Sequence, residues 1–290
     1  MMKKLLFITL LLYTSILFSQ KNVERILTKN KGDDRYANYS PDGKSIVFES
    51  NRDGNWEIYL MDANGDNQIR LTDNAYNDRR PSWHPNGKKI VFESDRQGEY
   101  ALYELKISNK KVREINIPGL EGVPIFAQYS PNGEQIAFSL RKSDERSSIE
   151  IVSSNGKGLR TLFYDDARST YPNWSSNGKS ILFFSRHETD NKDDEIYVIG
   201  PTVPHLKRLT HYPKHNFCPS WSKDGKKIAY VTSFDDIRPE IYMMDSSGSH
   251  QIRLTYNEDG DTLPRWSPDS KKILFTGYRN GNWEICELLL

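Results

Sequence analysis

This 290-residue chain reads as an all-β protein: a six-bladed β-propeller of four-stranded antiparallel blades, with the last blade closed by the N-terminal strand. Three observations carry that reading. One short pattern occurs six times. Each copy holds four strand-like runs punctuated by turn residues. The fourth run, missing after the sixth copy, stands ahead of the first.

The copies are anchored at Tyr39-Ser40-Pro41-Asp42-Gly43-Lys44, Trp83-His84-Pro85-Asn86-Gly87-Lys88, Tyr129-Ser130-Pro131-Asn132-Gly133-Glu134, Trp174-Ser175-Ser176-Asn177-Gly178-Lys179, Trp221-Ser222-Lys223-Asp224-Gly225-Lys226 and Trp266-Ser267-Pro268-Asp269-Ser270-Lys271. Steps of 44, 46, 45, 47 and 45 residues separate their first positions. A fixed period of about 40–45 residues with four strands per unit marks a propeller blade.

In the first repeat, Tyr36 to Ser40 leads into the anchor. Pro41-Asp42-Gly43-Lys44 is a turn, because Pro fixes one φ and Gly accepts a positive one. Ser45-Ile46-Val47-Phe48-Glu49 is β-branched and aromatic, hence a strand. A second turn, Asn51 to Asn55, precedes the alternating strand Trp56 to Met61. Asp62-Ala63-Asn64-Gly65-Asp66 carries the Asn-Gly signal of a hairpin, and Gln68 to Thr72 is the fourth strand. The order recurs to the end of the chain, and no segment after the leader shows a helical apolar period. The sixth repeat reaches its third strand, Trp283 to Leu288, just before Leu290. Glu24-Arg25-Ile26-Leu27-Thr28 matches Ile69-Arg70-Leu71-Thr72 and Ile252-Arg253-Leu254-Thr255, so it is expected to become the outer strand of the last blade.

Residues 1–19 read as a signal peptide, with residues 20–290 forming the propeller. Met1-Met2-Lys3-Lys4 is a short basic start, and Leu5 to Phe18 is an apolar run too short to span a bilayer comfortably. Cleavage is expected after Ser19. An exported chain, periplasmic or secreted, soluble and without a membrane span once processed, follows. The 40 Lys and Arg against 39 Asp and Glu give +1, which becomes −1 without Lys3 and Lys4. That balance argues against a nucleic-acid partner, which usually needs a basic face. The two cysteines, Cys218 and Cys286, fall in different repeats at packing positions and are expected as free, buried thiols.

The anchor aromatics Tyr39, Trp83, Tyr129, Trp174, Trp221 and Trp266 are expected to fill space between blades. Arg52, Arg96 and Arg279, each four residues after Phe48, Phe92 and Phe275, are expected to pair with loop carboxylates or carbonyls.

The run Phe48 to Met61, with Arg70-Leu71-Thr72 and Pro81-Ser82-Trp83, resembles the repeat of the TolB family. Glu240 to Asp245, with Arg253-Leu254-Thr255 and Pro264 to Asp269, resembles it too. The resemblance covers about residues 23–290 and implies six blades. It is weakly specific for function, since related repeats occur in tricorn-type and prolyl-oligopeptidase-type peptidases. The family's α/β domain ahead of the propeller has no counterpart here, so contact with inner-membrane Tol components is not expected. The surviving role the resemblance implies is docking of a peptidoglycan-associated lipoprotein over the channel mouth.

Function is expected in the loops that differ between repeats, at the channel end built from strand-four-to-strand-one and strand-two-to-strand-three connections. The rim candidates for binding are Asp34, Arg35, Asp78, Arg79, Arg80, Arg168, His215 and Asp261. Ser143 to Arg146 and His187 to Asp194 belong to the same rim. There is no G-x-S-x-G elbow and no hydrolase domain after the propeller. His211 and His215 have a metal-like spacing but flank Pro213 in a loop. Asp62 to Asp66 has oxygens at alternate positions but has Asp73 where a calcium loop closes with Glu. No catalytic residue, metal or cofactor is assigned. The expectation is a monomeric binding scaffold for an envelope protein or peptide. The alternative is a propeller enzyme, of polysaccharide lyase or glycosidase type, using paired carboxylates such as Asp78 and Asp261.

Overall fold

Each repeat folds into one antiparallel sheet, and six such sheets form the ring. The computed structural model describes residues 23–142, 146–189, 192–211, 214–233 and 238–290. The expected signal peptide lies outside these residues, as do Ser143, Asp144, Glu145, Asp190, Asn191 and Pro213. No helix among the described residues is long and apolar enough to cross a membrane.

The inner strands, one per blade, are Asp34–Tyr39, Asp78–Trp83, Val123–Tyr129, Ser169–Trp174, Asn216–Trp221 and Asp261–Trp266. The second strand of each blade is apolar on both faces because a neighbouring blade covers each side. Ile46, Val47 and Phe48, for example, are fully buried. Packing between blades is continuous around the ring. Val47, Ile58 and Leu71 of blade one meet Ile90, Phe92 and Tyr103 of blade two. Leu27, Leu274 and Ile285 of blade six meet Ile46, Phe48 and Tyr59 of blade one. The anchor aromatics join these clusters.

The anchor's Ser and Asp or Asn residues make its turn. Ser40 Oγ donates to Asp42 Oδ1 at 2.6 Å and accepts from the Ser45 amide at 3.0 Å, while Gly43 takes φ +72°. The same pair recurs as Ser130–Asn132, Ser175–Asn177, Ser222–Asp224 and Ser267–Asp269. In blade two His84 replaces the serine, and its Nδ1 accepts from the Asn86 amide at 3.1 Å.

The fourth strand is held by a latch at the Leu-Thr pair. Thr72, Thr210 and Thr255 accept through Oγ1 from the amides of Ile58, Ile196 and Ile241 at 2.9–3.0 Å. Arg70, Arg208 and Arg253 each donate to the buried carboxylates of Glu57, Glu195 and Glu240 at 2.8 Å.

Blade six obtains its fourth strand from the other end of the propeller. Val23–Ile26 pairs antiparallel with Asn282–Leu289, from Val23 opposite Leu289 to Ile26 opposite Cys286. Thr28 repeats the latch: it accepts from the Ile285 amide at 2.9 Å and donates to Glu284 Oε2 at 2.7 Å. Ile26 stands where the arginine would be. Elsewhere the seam gains an ionic pin instead. Gly277 occupies the place of Ser50 and Ser94, leaving room for Arg279, whose Nε and Nη2 donate to Glu24 Oε1 at 3.0 and 2.8 Å. The same Nη2 lies 2.8 Å from Asp261 Oδ1. Burial outweighs this cation and pushes the Asp261 carboxyl up to about 6. The hairpin of blade one also touches the seam. Gly65 takes φ +96°, and a Cβ there would lie 2.8 Å from the Leu27 carbonyl oxygen.

Two outcomes are expected from the seam. Thr28→Val leaves the Ile285 amide and Glu284 without their buried partner, so chemical denaturation should report a loss of about 2–3 kcal/mol; an unchanged midpoint would show that the latch does not hold the strand. Asp261 has a folded-state pKa above the ordinary aspartate value, so it supplies stability that is complete below about pH 4 and is lost as pH rises through about 6. Asp261→Asn should remove that component. The wild type should then lose about 1–3 kcal/mol more than the variant between pH 4 and 7 in urea titrations.

Candidate functional site

The end of the ring where strand four leads into the next strand one is ordered by three buried aspartates. Asp34, Asp78 and Asp261 open their inner strands with no exposed surface. Arg52 Nη2 donates to both oxygens of Asp34 at 2.9 and 3.0 Å, and Arg96 Nη2 does the same for Asp78. Ser50 and Ser94 receive the Nε protons at 2.8 and 2.9 Å. Asn30, Asn74 and Asn257, each four residues earlier, donate to the same aspartates at 2.6, 2.8 and 2.6 Å. Each carboxylate thus ties an incoming loop to the strand-two-to-strand-three turn of its blade, as expected for Arg52, Arg96 and Arg279.

The next residue of the inner strand reaches the mouth. The Arg35 guanidinium lies 5.1 Å from the Trp56 ring and 5.6 Å from Trp283, and is held by Asp33 at 2.6 Å. Arg79 lies 5.0 Å from Trp56 and 3.3 Å from Glu49 Oε1. Trp283, Arg35, Trp56 and Arg79 therefore form one row of cations and rings across blades six, one and two. On the far side, Asp194 gathers two arginines and a histidine. Arg168 pairs with its Oδ2 and lies over Phe184 at 5.3 Å, Arg186 Nε is 3.2 Å from Oδ1, and His215 Nδ1 accepts from the Asp194 amide at 3.2 Å.

Arg80 sits deeper. Every inner strand takes a positive φ three residues before its anchor aromatic: Tyr36 55°, Arg80 50°, Phe126 58°, Tyr171 64°, Cys218 51° and Leu263 57°. All six strands slip register at this point. None of these residues is glycine, so the conformation is costly and must be imposed by its surroundings. Side chains of the preceding blade satisfy the turned amides. Arg80 N donates to Glu49 Oε2 at 2.7 Å, Phe126 N to Glu93 Oε1 at 2.6 Å and Tyr171 N to Ser139 Oγ at 2.9 Å. The bulges aim the side chains at the axis. Phe126 meets Tyr36 at 6.0 Å and Tyr171 at 5.0 Å between ring centroids, and Arg80, paired with Glu93, lies 4.7 Å from Phe126. The void left among them is about 20 Å³. Burial raises the Cys218 thiol to about 12, and it and Cys286 are free and buried.

Below this plug lies a cavity of about 400 Å³, at the opposite end from the expected rim. The six anchor aromatics and the strand-one-to-strand-two turns form its wall. Asn38, Ser82, Gln128, Asn173, Ser220 and Arg265 ring its floor. Sequence reasoning assigned the aromatics to packing and missed the cavity. The available signal was Arg265, a cation in a column otherwise occupied by neutral polar residues.

Among the described residues no group of three or more His, Cys, Asp or Glu side chains is placed to hold a metal. Asp62 to Asp66 forms a hairpin in which the Asp62 amide donates to the Asp66 carbonyl at 2.9 Å.

The family model of the TolB beta propeller domain matches residues 16–191 and 187–288. An uncharacterized peptidase, YuxL of Bacillus subtilis, is 28% identical over 114 residues, which is 38% of this chain and 17% of that protein. TolB from Acinetobacter baumannii superposes with a TM-score of 0.67 at 20% identity, over 91% of this chain and 65% of that one. An oligogalacturonate lyase from Vibrio parahaemolyticus superposes with a TM-score of 0.63 at 14% identity, over 92% and 93%. At these identities the structural likenesses speak for the fold alone, and this chain spans only a small part of the peptidase. Repeat, ring and family model agree, and the chain belongs to the TolB beta-propeller family.

Proposed function

We propose that this chain is an exported scaffold, periplasmic or secreted, that presents the upper mouth of its propeller to a protein or peptide of the bacterial envelope, with no catalysis of its own. The observation that carries the reading is the row Trp283, Arg35, Trp56 and Arg79. Arginine and tryptophan dominate the energetics of protein interfaces. Here the two guanidiniums are already fixed by Asp33 and Glu49, so little side-chain freedom is lost on binding. Arg168 and His215, held by Asp194, extend the same mouth. Asp34 and Asp78 serve the site by holding its loops. A partner of the peptidoglycan-associated lipoprotein type agrees with the family, and a monomer suffices, because the mouth is assembled within one ring.

One observation favours the second reading, an enzyme acting on a carbohydrate: the Asp261 carboxyl, raised to about 6, stands at the start of an inner strand. Against it, Asp78 and Asp261 each lie against an arginine of their own blade, and an acid–base pair needs at least one carboxyl directed at substrate. Loss of a measurable reaction in Asp261→Asn, with the fold intact, would establish that reading.

Crosslinking of the protein in its native envelope, followed by mass spectrometry, identifies what it captures. The double variant Arg35→Ala with Arg79→Ala should lower capture by about tenfold or more while leaving the ring folded. Undiminished capture would remove the row from the binding surface.

A further inference from the structure

The cavity at the turn end is unlike the mouth above the plug. Its wall includes two cationic residues, Arg265 and Lys223, and no aspartate or glutamate. This occurs in a chain with 39 acidic residues, almost all of whose other inward arginines hold a carboxylate. Arg265 Nε donates to Asn38 Oδ1 at 3.0 Å and the guanidinium lies 4.6 Å from the Tyr171 ring. Its Nη1 is buried and has no hydrogen-bond partner.

Two further donors in the same wall are orphaned. The indole N–H groups of Trp174 and Trp221 are buried without a partner. Their counterparts in Trp83 and Trp266 donate to the carbonyls of Asn38 and Ser220 at 3.1 Å. Trp174 is only 8% exposed. Buried unsatisfied donors are uncommon and costly, and three of them belong to residues that border this one cavity. The amide oxygens of the floor are already engaged. Asn38 Oδ1 accepts from Arg265, Asn173 Oδ1 from the Trp221 amide at 3.0 Å, and Gln128 Oε1 from Asn173 at 3.1 Å. The cations of the lining, Arg265 and Lys223, meet no acidic side chain there, so an anionic group such as a carboxylate is the complement this wall lacks. The plug closes the floor, and a dead-end pocket suits the end of a chain rather than a strand threaded through.

We propose that this cavity receives the C-terminal carboxylate of a peptide, with Arg265 as its receptor and Lys223 attracting it at the mouth. The size agrees, since about 400 Å³ lies within the usual range for ligand pockets. A guanidinium N–H directed at a carboxylate makes a charge-assisted hydrogen bond, about twice as strong as a neutral one. The inference concerns the opposite end of the ring from the Arg35 and Arg79 row, so either site can fail without the other.

The experiment uses immobilised purified protein and two pools of randomised hexapeptides, one ending in a free carboxylate and one amidated, with retained peptides counted by mass spectrometry. Retention of the free-acid pool should exceed that of the amidated pool by about tenfold or more. Arg265→Gln should abolish the difference and Arg265→Lys should restore part of it. Lys223→Glu changes an exposed side chain away from the plug and should weaken retention even if Arg265→Gln proves unstable in a thermal melt. Equal retention of both pools, retention of neither, or retention indifferent to the Arg265 and Lys223 variants would overturn the proposal. Selective retention of amidated peptides bearing Asp or Glu would overturn the assignment to a chain end. Retention of oligogalacturonate with neither peptide pool bound would overturn the assignment to a peptide.

Discussion

Ring closure is the constraint on which the rest of this structure depends. A blade is apolar on both faces and cannot shield either by itself. Five of the six sheets are each built from one stretch of chain, but the sixth joins Val23–Ile26 to Asn282–Leu289. With that strand in place, Leu27, Leu274 and Ile285 cover Ile46 and Phe48, and no face of the ring is left open. The seam is secured by backbone pairing, the Thr28 latch and the shared Arg279, so hydrogen bonding, burial and charge act on the same few residues.

The axis is governed by a second constraint, the left-handed turn in every inner strand. An antiparallel strand places alternate side chains on opposite faces, and a bulge is the way to turn one toward the axis. Each turn breaks the ladder and frees an amide. Glu49, Glu93 and Ser139 supply the acceptors in three blades, so the plug depends on side chains from the neighbouring blade. Burial raises the Glu93 carboxyl, whereas Arg80 and the Phe126 amide favour its charged form. The result is two chemically distinct ends: a row of arginines and tryptophans above, and an acid-free aromatic cavity below.

Fold and closure were legible because each rests on a repeated local pattern. The Ile-Arg-Leu-Thr run marked the fourth strand wherever it occurred, and its kin at residues 24–28 pointed to the seam even with Ile26 in place of the arginine. The partners of the aspartates were also available in principle. Arg52, Arg96 and Arg279 each follow their aspartate by 18 residues, a constant that sets the same contact in three blades. The bulges were not legible. Tyr36, Phe126 and Tyr171 have no local preference for a positive φ, and the ring imposes it on them. The lower cavity escaped notice because packing and lining use the same six aromatic side chains, one edge in the blade interface and the other in the void.

The seam also sets how such a ring comes apart. An open solenoid can fray from either terminus, because its end repeats have only one neighbour. Here every blade has two, so there is no terminal unit from which melting can spread. The most vulnerable point is instead the four-residue segment Val23–Ile26, the outermost strand of its sheet. Peeling it away would turn a closed wheel into a linear array with two raw edges. Resistance to heat or proteolysis would then track the lifetime of that short strand's attachment more than the depth of the core behind it.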